Sequence, residues 1–186
     1  MLYSNGIGPL ERKGNIKKTK KILDKVDLIT LRDERSYKTL SEIGIENKNV
    51  KVTADPALDL DIADEKLGKA ILKNEGVPSD KKLLGVSVRK WQNLGSDFET
   101  QIANVCDYAY EKYGYYTVFL PMQSSRDTAI MQNIKRKMKH ESAIIKKRYS
   151  VEGMLSIIKC FDMCIGMRLH TLIYAAINSV PLIGLV

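Results

Sequence analysis

The sequence predicts an α/β fold, doubly wound, in which a parallel sheet is wrapped by helices. Three observations predict it. From residue 82 onward, short β-rich runs alternate with segments of helical spacing through five strands, the pattern of parallel strands joined by crossover helices. The helical segments carry their own boundaries, Gly114 closing one and Ser150 opening another. No apolar run reaches the roughly 18 residues needed to cross a bilayer, and the longest, 169–177 and 180–186, are both interrupted.

Taken in order, Asp27-Leu-Ile-Thr-Leu31 reads as a strand, 34–43 as a short helix ended by Gly44, and Val50-Lys-Val-Thr53 as a second strand. These are too few to close a sheet, so residues 1–60 read as the tail of an N-terminal α/β unit. Residues 61–81, acidic at first and then carrying Gly76 and Pro78, read as a connection. Beyond it, 83–88 is a strand, 98–113 a helix, 115–120 a strand and 128–139 a basic amphipathic helix. A strand at 143–147, a helix running from Ser150 to about Cys160, a strand at 163–166, a helix at 169–177 and a buried strand at 181–186 follow. Residues 82–186 thus form a C-terminal α/β domain. With the last strand ending at the last residue, the chain reads as an incomplete part of a two-domain protein.

Composition narrows the class. Hydrophobic residues make up 44% and charged residues 28%, the balance of a soluble globular chain. The start lacks a basic segment and a small-residue cleavage site, unlike a secretory signal. Cys106, Cys160 and Cys164 are odd in number and have no zinc spacing, which points to a reduced, cytoplasmic protein. The net charge of +8 is uneven: lysines and arginines crowd 12–25 and 135–148, whereas 55–65 is acidic. Such basic clusters steer phosphates, nucleic acid or an anionic membrane surface, although solvated helix faces explain each cluster taken alone. Few aromatics interleave with the lysines, which argues against a nucleic-acid platform.

In this architecture ligands bind beyond the carboxyl ends of the strands. One such end is Gly166-Met-Arg-Leu-His170, where a strand meets a helix N-terminus. Unpaired N–H groups there favour an anion. Arg168 adds a permanently charged fork, and His170 a side chain able to exchange a proton near neutral pH. A second end is Gly85-Val-Ser-Val-Arg-Lys-Trp91, with Arg89 and Lys90 suited to an anionic substrate and Trp91 to covering it. After the strand at 115–120, Gln123 and Asp127 suit sugar hydroxyls, while a polar turn explains this segment equally well. Gly6 and Gly8 of Asn5-Gly-Ile-Gly-Pro9 offer amides to a phosphate, yet the segment matches neither a Walker loop nor a dinucleotide fingerprint. Asp55 in Thr53-Ala-Asp-Pro-Ala57 is either functional or an Asx turn ahead of Pro56.

Together these segments resemble the polysaccharide pyruvyl transferase family, most closely its cell-wall branch. The carriers are Asn5-Gly-Ile-Gly-Pro9, Leu31-Arg-Asp-Glu-Arg-Ser36, Thr53-Ala-Asp-Pro-Ala57, Gly85-Val-Ser-Val-Arg89, Leu120-Pro-Met-Gln123, Ile165-Gly-Met-Arg-Leu-His170 and Val180-Pro-Leu-Ile-Gly184. They occur in the family's order. The resemblance implies two Rossmann-like domains of the B-type glycosyltransferase architecture with an active site in the cleft. It implies phosphoenolpyruvate as co-substrate, a saccharide acceptor, lipid-linked in the closest branch, and work at the inner face of the membrane. It also implies that Arg89, Arg168, Leu169 and His170 bind the donor. On that basis Arg89 and Arg168 hold its carboxylate and phosphate, His170 is the general acid, and Asp55 is the base for the acceptor hydroxyl. No metal or other cofactor is called for, because the arginines supply positive charge. Two competitors stand beside this reading: a sugar-nucleotide-dependent glycosyltransferase of the same architecture, and a non-enzymatic anion-binding module.

Overall fold

A computed structural model of the chain describes residues 1–91 and 94–185. It divides into two compact units, Met1–Leu60 and Asp61–Val186.

The first unit holds strands β1 (Leu2–Asn5), β2 (Ile29–Leu31) and β3 (Val50–Val52), with helices α1 (Lys13–Leu23) and α2 (Glu34–Glu42) between them. The strands pair in parallel in the order β1-β2-β3. Ile29 and Leu31 are fully buried and pack with Leu23 and Leu40 in a small core. Asp33 caps α2 by accepting the Ser36 N–H at 2.7 Å, and that bond holds its carboxyl below the ordinary value against the opposing effect of burial.

The second unit is a five-stranded parallel sheet in the order β6-β5-β4-β7-β8. Its strands are β4 (Lys82–Ser87), β5 (Tyr115–Phe119), β6 (Ser142–Ile144), β7 (Met163–Gly166) and β8 (Leu182–Gly184). Its helices are α3 (Glu65–Asn74), α4 (Phe98–Tyr113), α5 (Ser124–Lys137), α6 (Val151–Lys159) and α7 (Leu169–Ile177). Side chains alternate across a strand. Leu84 and Val86 therefore face a core built with Ile102, Cys106, Met131 and Ile134 of α4 and α5. Gly85 points the other way, where a Cβ would come within 2.1 Å of the Phe161 ring. The strand order reverses direction between β4 and β7, the switch point at which open α/β sheets gather ligands.

The predicted α/β class is borne out, and several boundaries differ for identifiable reasons. Helix α5 begins at Ser124 rather than 128, because the Asp127 carboxylate reaches back to the Gln123 N–H at 2.8 Å and stabilises the first turn. The stretch 61–81, read as a connection, contains α3 and lies in the second unit. Asp64 caps this helix through the Lys66 N–H, and Ile71 and Leu72 are buried. At Gly68 a Cβ would sit 2.0 Å from the Ser156 carbonyl oxygen of α6, so the two helices meet backbone to backbone. The final strand, expected to be buried, is exposed along all three residues of β8, which is an outer strand of the sheet. Val186, the last residue of that expected strand, lies outside the described residues. Among the described residues no helix is long and apolar enough to cross a membrane.

Candidate active site at the switch point

Three strand ends build one cavity. Arg89, Lys90 and Trp91 follow β4; Gln123, Arg126 and Asp127 follow β5; Arg168 follows β7. These residues line a volume of about 420 Å³. Four cations face it against a single carboxylate, so its electrostatic character is anion-binding. The strand ends are tied together below it. The Met167 N–H donates to the Ser87 carbonyl at 2.9 Å, and the Thr171 hydroxyl donates to that of Ser87 at 3.1 Å, both side chains being buried.

The cations are held in different ways. Arg168 is the N-cap residue of α7, and its guanidinium grips Asp127 edge-on, Nε to Oδ2 at 2.9 Å and Nη2 to Oδ1 at 2.5 Å. Nη2 also reaches Gln123 Oε1 at 3.3 Å. Asp127 is 0% exposed, so it cannot meet a sugar hydroxyl as its place in the sequence suggested. Arg89 instead lies over the face of Trp91, with Cζ 4.1 Å from the ring centroid, a geometry that orients a guanidinium without neutralising it. Its Nε is buried and has no hydrogen-bond partner among the described residues. Arg126 is exposed at the cavity wall.

His170 and Leu169 are exposed on the first turn of α7, and the His170 ring lies 6.1 Å from that of Tyr174. Gln123 lines both this cavity and a neighbouring one of about 380 Å³ that Lys147, Arg148 and Tyr149 help to form. The loop carrying those cations is moored by Glu75, whose carboxylate accepts from the Lys146 and Lys147 N–H groups and from the Tyr149 hydroxyl at 2.8, 3.1 and 2.7 Å. Burial pushes the Tyr149 hydroxyl up to about 12, with Glu75 adding to the effect.

Gly6 and Gly8 lie in the first unit, in a cavity of about 370 Å³ shared with Arg32, Asp33 and Arg35. A Cβ on Gly6 would fall 2.6 to 2.9 Å from the Arg32 guanidinium, so glycine there lets the arginine lie flat on the loop. Arg32 Nη1 donates to Asp55 Oδ2 at 3.0 Å, while Asp55 Oδ1 accepts the Ala57 N–H at 3.1 Å. The Asx turn ahead of Pro56 is thus present, and the same carboxylate holds an arginine.

Among the described residues no group of three or more His, Cys, Asp or Glu converges as a metal site. Burial pushes the thiols of Cys106 and Cys160 up to about 11 and that of Cys164 to about 12, leaving them protonated and unreactive near neutral pH.

The family profile described as "Polysaccharide pyruvyl transferase" matches residues 1–186, the entire chain. The chain belongs to the polysaccharide pyruvyl transferase family. No curated protein matches its sequence. Among solved structures, this pyruvyl transferase family member is similar to a family 9 glycosyl transferase from Veillonella parvula, with a TM-score of 0.54 and 12% identity over 95% of this chain and 63% of that one. It is also similar to S. aureus MnaA solved with UDP, at 0.61 and 16% over 84% and 42%. A third is a putative UDP-N-acetylglucosamine 2-epimerase from Listeria monocytogenes, at 0.60 and 13% over 94% and 45%. At such identities the likeness shows the fold alone, that of B-type glycosyltransferases and epimerases. The chain spans between 42% and 63% of the length of these three structures.

Arg126 is the cavity residue that sequence reasoning passed over. It stands in the first turn after a strand end, as Arg168 stands at the start of α7, and a helix begun at Ser124 rather than 128 would have drawn notice to it.

Proposed function

We propose that the chain carries the donor site of an enzyme that moves pyruvate from phosphoenolpyruvate onto two hydroxyls of a cell-wall or surface saccharide, forming a ketal and releasing phosphate. The observation that supports this most directly is the cavity at the switch point, where Arg89, Lys90, Arg126 and Arg168 face one carboxylate. Phosphoenolpyruvate, with about ten non-hydrogen atoms, a carboxylate and a phosphate, suits a cation-lined cavity of this size class.

In this reading Arg89 and Arg126 attract the two anionic groups, Lys90 adds to the field, and Gln123, Arg168 and Leu169 border the donor. His170 delivers a proton to C3 of the enol as an acceptor hydroxyl adds to C2, and that hydroxyl's proton passes to a base and returns to His170 through water. The second hydroxyl then replaces phosphate at C2, its proton leaving with the phosphate, so that the reaction consumes no other reactant. Asp55, held by Arg32, is the proposed base for an acceptor hydroxyl, and the Gly6–Gly8 loop of the same unit the proposed saccharide contact. The acceptor is proposed to be lipid-linked, with the basic helix α1 facing an anionic membrane surface on the cytoplasmic side.

Trp91 is the chain's single tryptophan and lines the cavity, so its emission reports occupancy. Titration with phosphoenolpyruvate is expected to give a saturable change that a nucleotide sugar does not reproduce, and that persists after exhaustive chelation. A response to the nucleotide sugar alone would overturn the proposal.

A further inference from the structure

Building on the donor-site reading above, we propose that Asp127 is a positioning residue that limits how tightly the site holds phosphate. It neutralises Arg168 and fixes its guanidinium edge-on, so that Arg168 directs the anion by geometry while Arg89 and Arg126 supply the attraction.

The observations are local and concordant. Asp127 is fully buried, yet it borders the cavity. An ionised carboxylate in such a place is tolerated only when paired and hydrogen-bonded. Here Oδ1 takes Arg168 Nη2, and Oδ2 takes both Arg168 Nε and the Gln123 N–H. The carboxylate therefore has no role as a ligand to substrate. The bidentate grip uses Nε and Nη2 and leaves the far nitrogen, Nη1, as the guanidinium's remaining edge. A planar fork clamped along one edge presents the other in a fixed direction.

The pair also changes the field. Among the described residues no carboxylate pairs with Arg89 or Arg126, whereas Arg168 has one at 2.5 Å. In a reaction whose product is phosphate, a site with every cation unneutralised would hold that product too long. A buried counter-charge beside one arginine reduces the affinity while keeping the direction. A purely structural ion pair would show none of this in ligand binding.

The test uses Trp91 emission to titrate inorganic phosphate and phosphoenolpyruvate into the chain, Asp127→Asn, Arg168→Gln and the double variant. Asp127→Asn is expected to bind phosphate about tenfold more tightly, in line with one charge-assisted contact, and Arg168→Gln to bind it more weakly. The double variant keeps the parent's net charge and buries no unpaired ion. It is expected to bind phosphate within about threefold of the parent, while turnover, measured as phosphate release with acceptor present, falls at unchanged donor KM.

Unchanged or weaker phosphate binding in folded Asp127→Asn overturns the proposal. Should that variant fail to fold, the double variant decides: parent-like affinity with reduced turnover at unchanged donor KM supports the proposal, and unchanged turnover or a loss of affinity of about tenfold or more overturns it. Absence of any phosphate response in the parent overturns the donor-site reading as well, which separates the two failures.

Discussion

Both units place an arginine beyond a parallel strand and set a carboxylate against it, yet the two pairs differ in kind. In the first unit Arg32 meets Asp55 through one nitrogen, and Asp55 keeps 11% of its side-chain surface. In the second, Arg168 meets Asp127 through two, and Asp127 keeps none. Their settings differ as well. The first cavity sets Arg32 and Arg35 against Asp33, with Asp55 behind Arg32; the second sets four cations against one carboxylate. On the proposed reading the first meets the saccharide and the second the anionic donor. An arginine with a carboxylate partner orients a ligand; one without attracts it.

The largest expected effect tests whether chemistry resides with the second unit. His170→Ala is predicted to lower turnover by about 10²–10⁴, the usual worth of general acid catalysis, with Trp91 still reporting donor binding. Unchanged turnover would remove His170 from the reaction.

A smaller effect separates attracting from orienting arginines. Arg126→Ala should weaken phosphoenolpyruvate binding by about ten- to a hundredfold, the range for losing a hydrogen bond to a charged group. Arg35→Ala, in the first unit, should leave donor binding unchanged. Calorimetric titration of both variants checks the contrast, and equal losses would break it.

The smallest concerns Glu75, which positions the Lys146–Tyr149 loop by taking its backbone N–H groups. Burial opposes its charge, but the Lys146 N–H, the Tyr149 hydroxyl and the Lys147 N–H together hold its carboxyl below the ordinary 4.5. A depressed carboxyl contributes stability at neutral pH that is lost as pH falls through the folded value. Glu75→Gln should therefore lower Tm modestly at neutral pH, and the gap to the parent should close as pH falls below 4.5. A gap that persists in acid would contradict the linkage.

The parts of the fold legible in the sequence are those whose boundaries are written locally. Gly114, at φ +73°, ends α4 where its position indicated, and Ser150 caps α6 through the Gly153 N–H. The span of β7 and the start of α7 at Leu169 follow from an apolar run meeting Arg168. Missed features rest on partners distant in sequence. The worth of α3 lies in its contact with α6, far along the chain, and the exposure of β8 depends on its place in the strand order. At the site, Arg89, Gln123 and Arg168 do line one cavity, because three strand ends converge. What the spacing of residues did not disclose is that Arg168 answers to a carboxylate 41 positions earlier.

The backbone contact of α3 with α6 has a practical consequence for dissecting the protein. A fragment beginning at Lys82, where the regular alternation starts, would strip away the helix that covers Ser156 and Cys160 and supplies the Glu75 mooring. It would leave Gly153, Ser156 and Cys160, the face of α6 that Ile71, Gly68 and Glu65 cover, without a partner. A fragment beginning at Asp61 retains all of these, which makes the junction after Leu60 the place to cut.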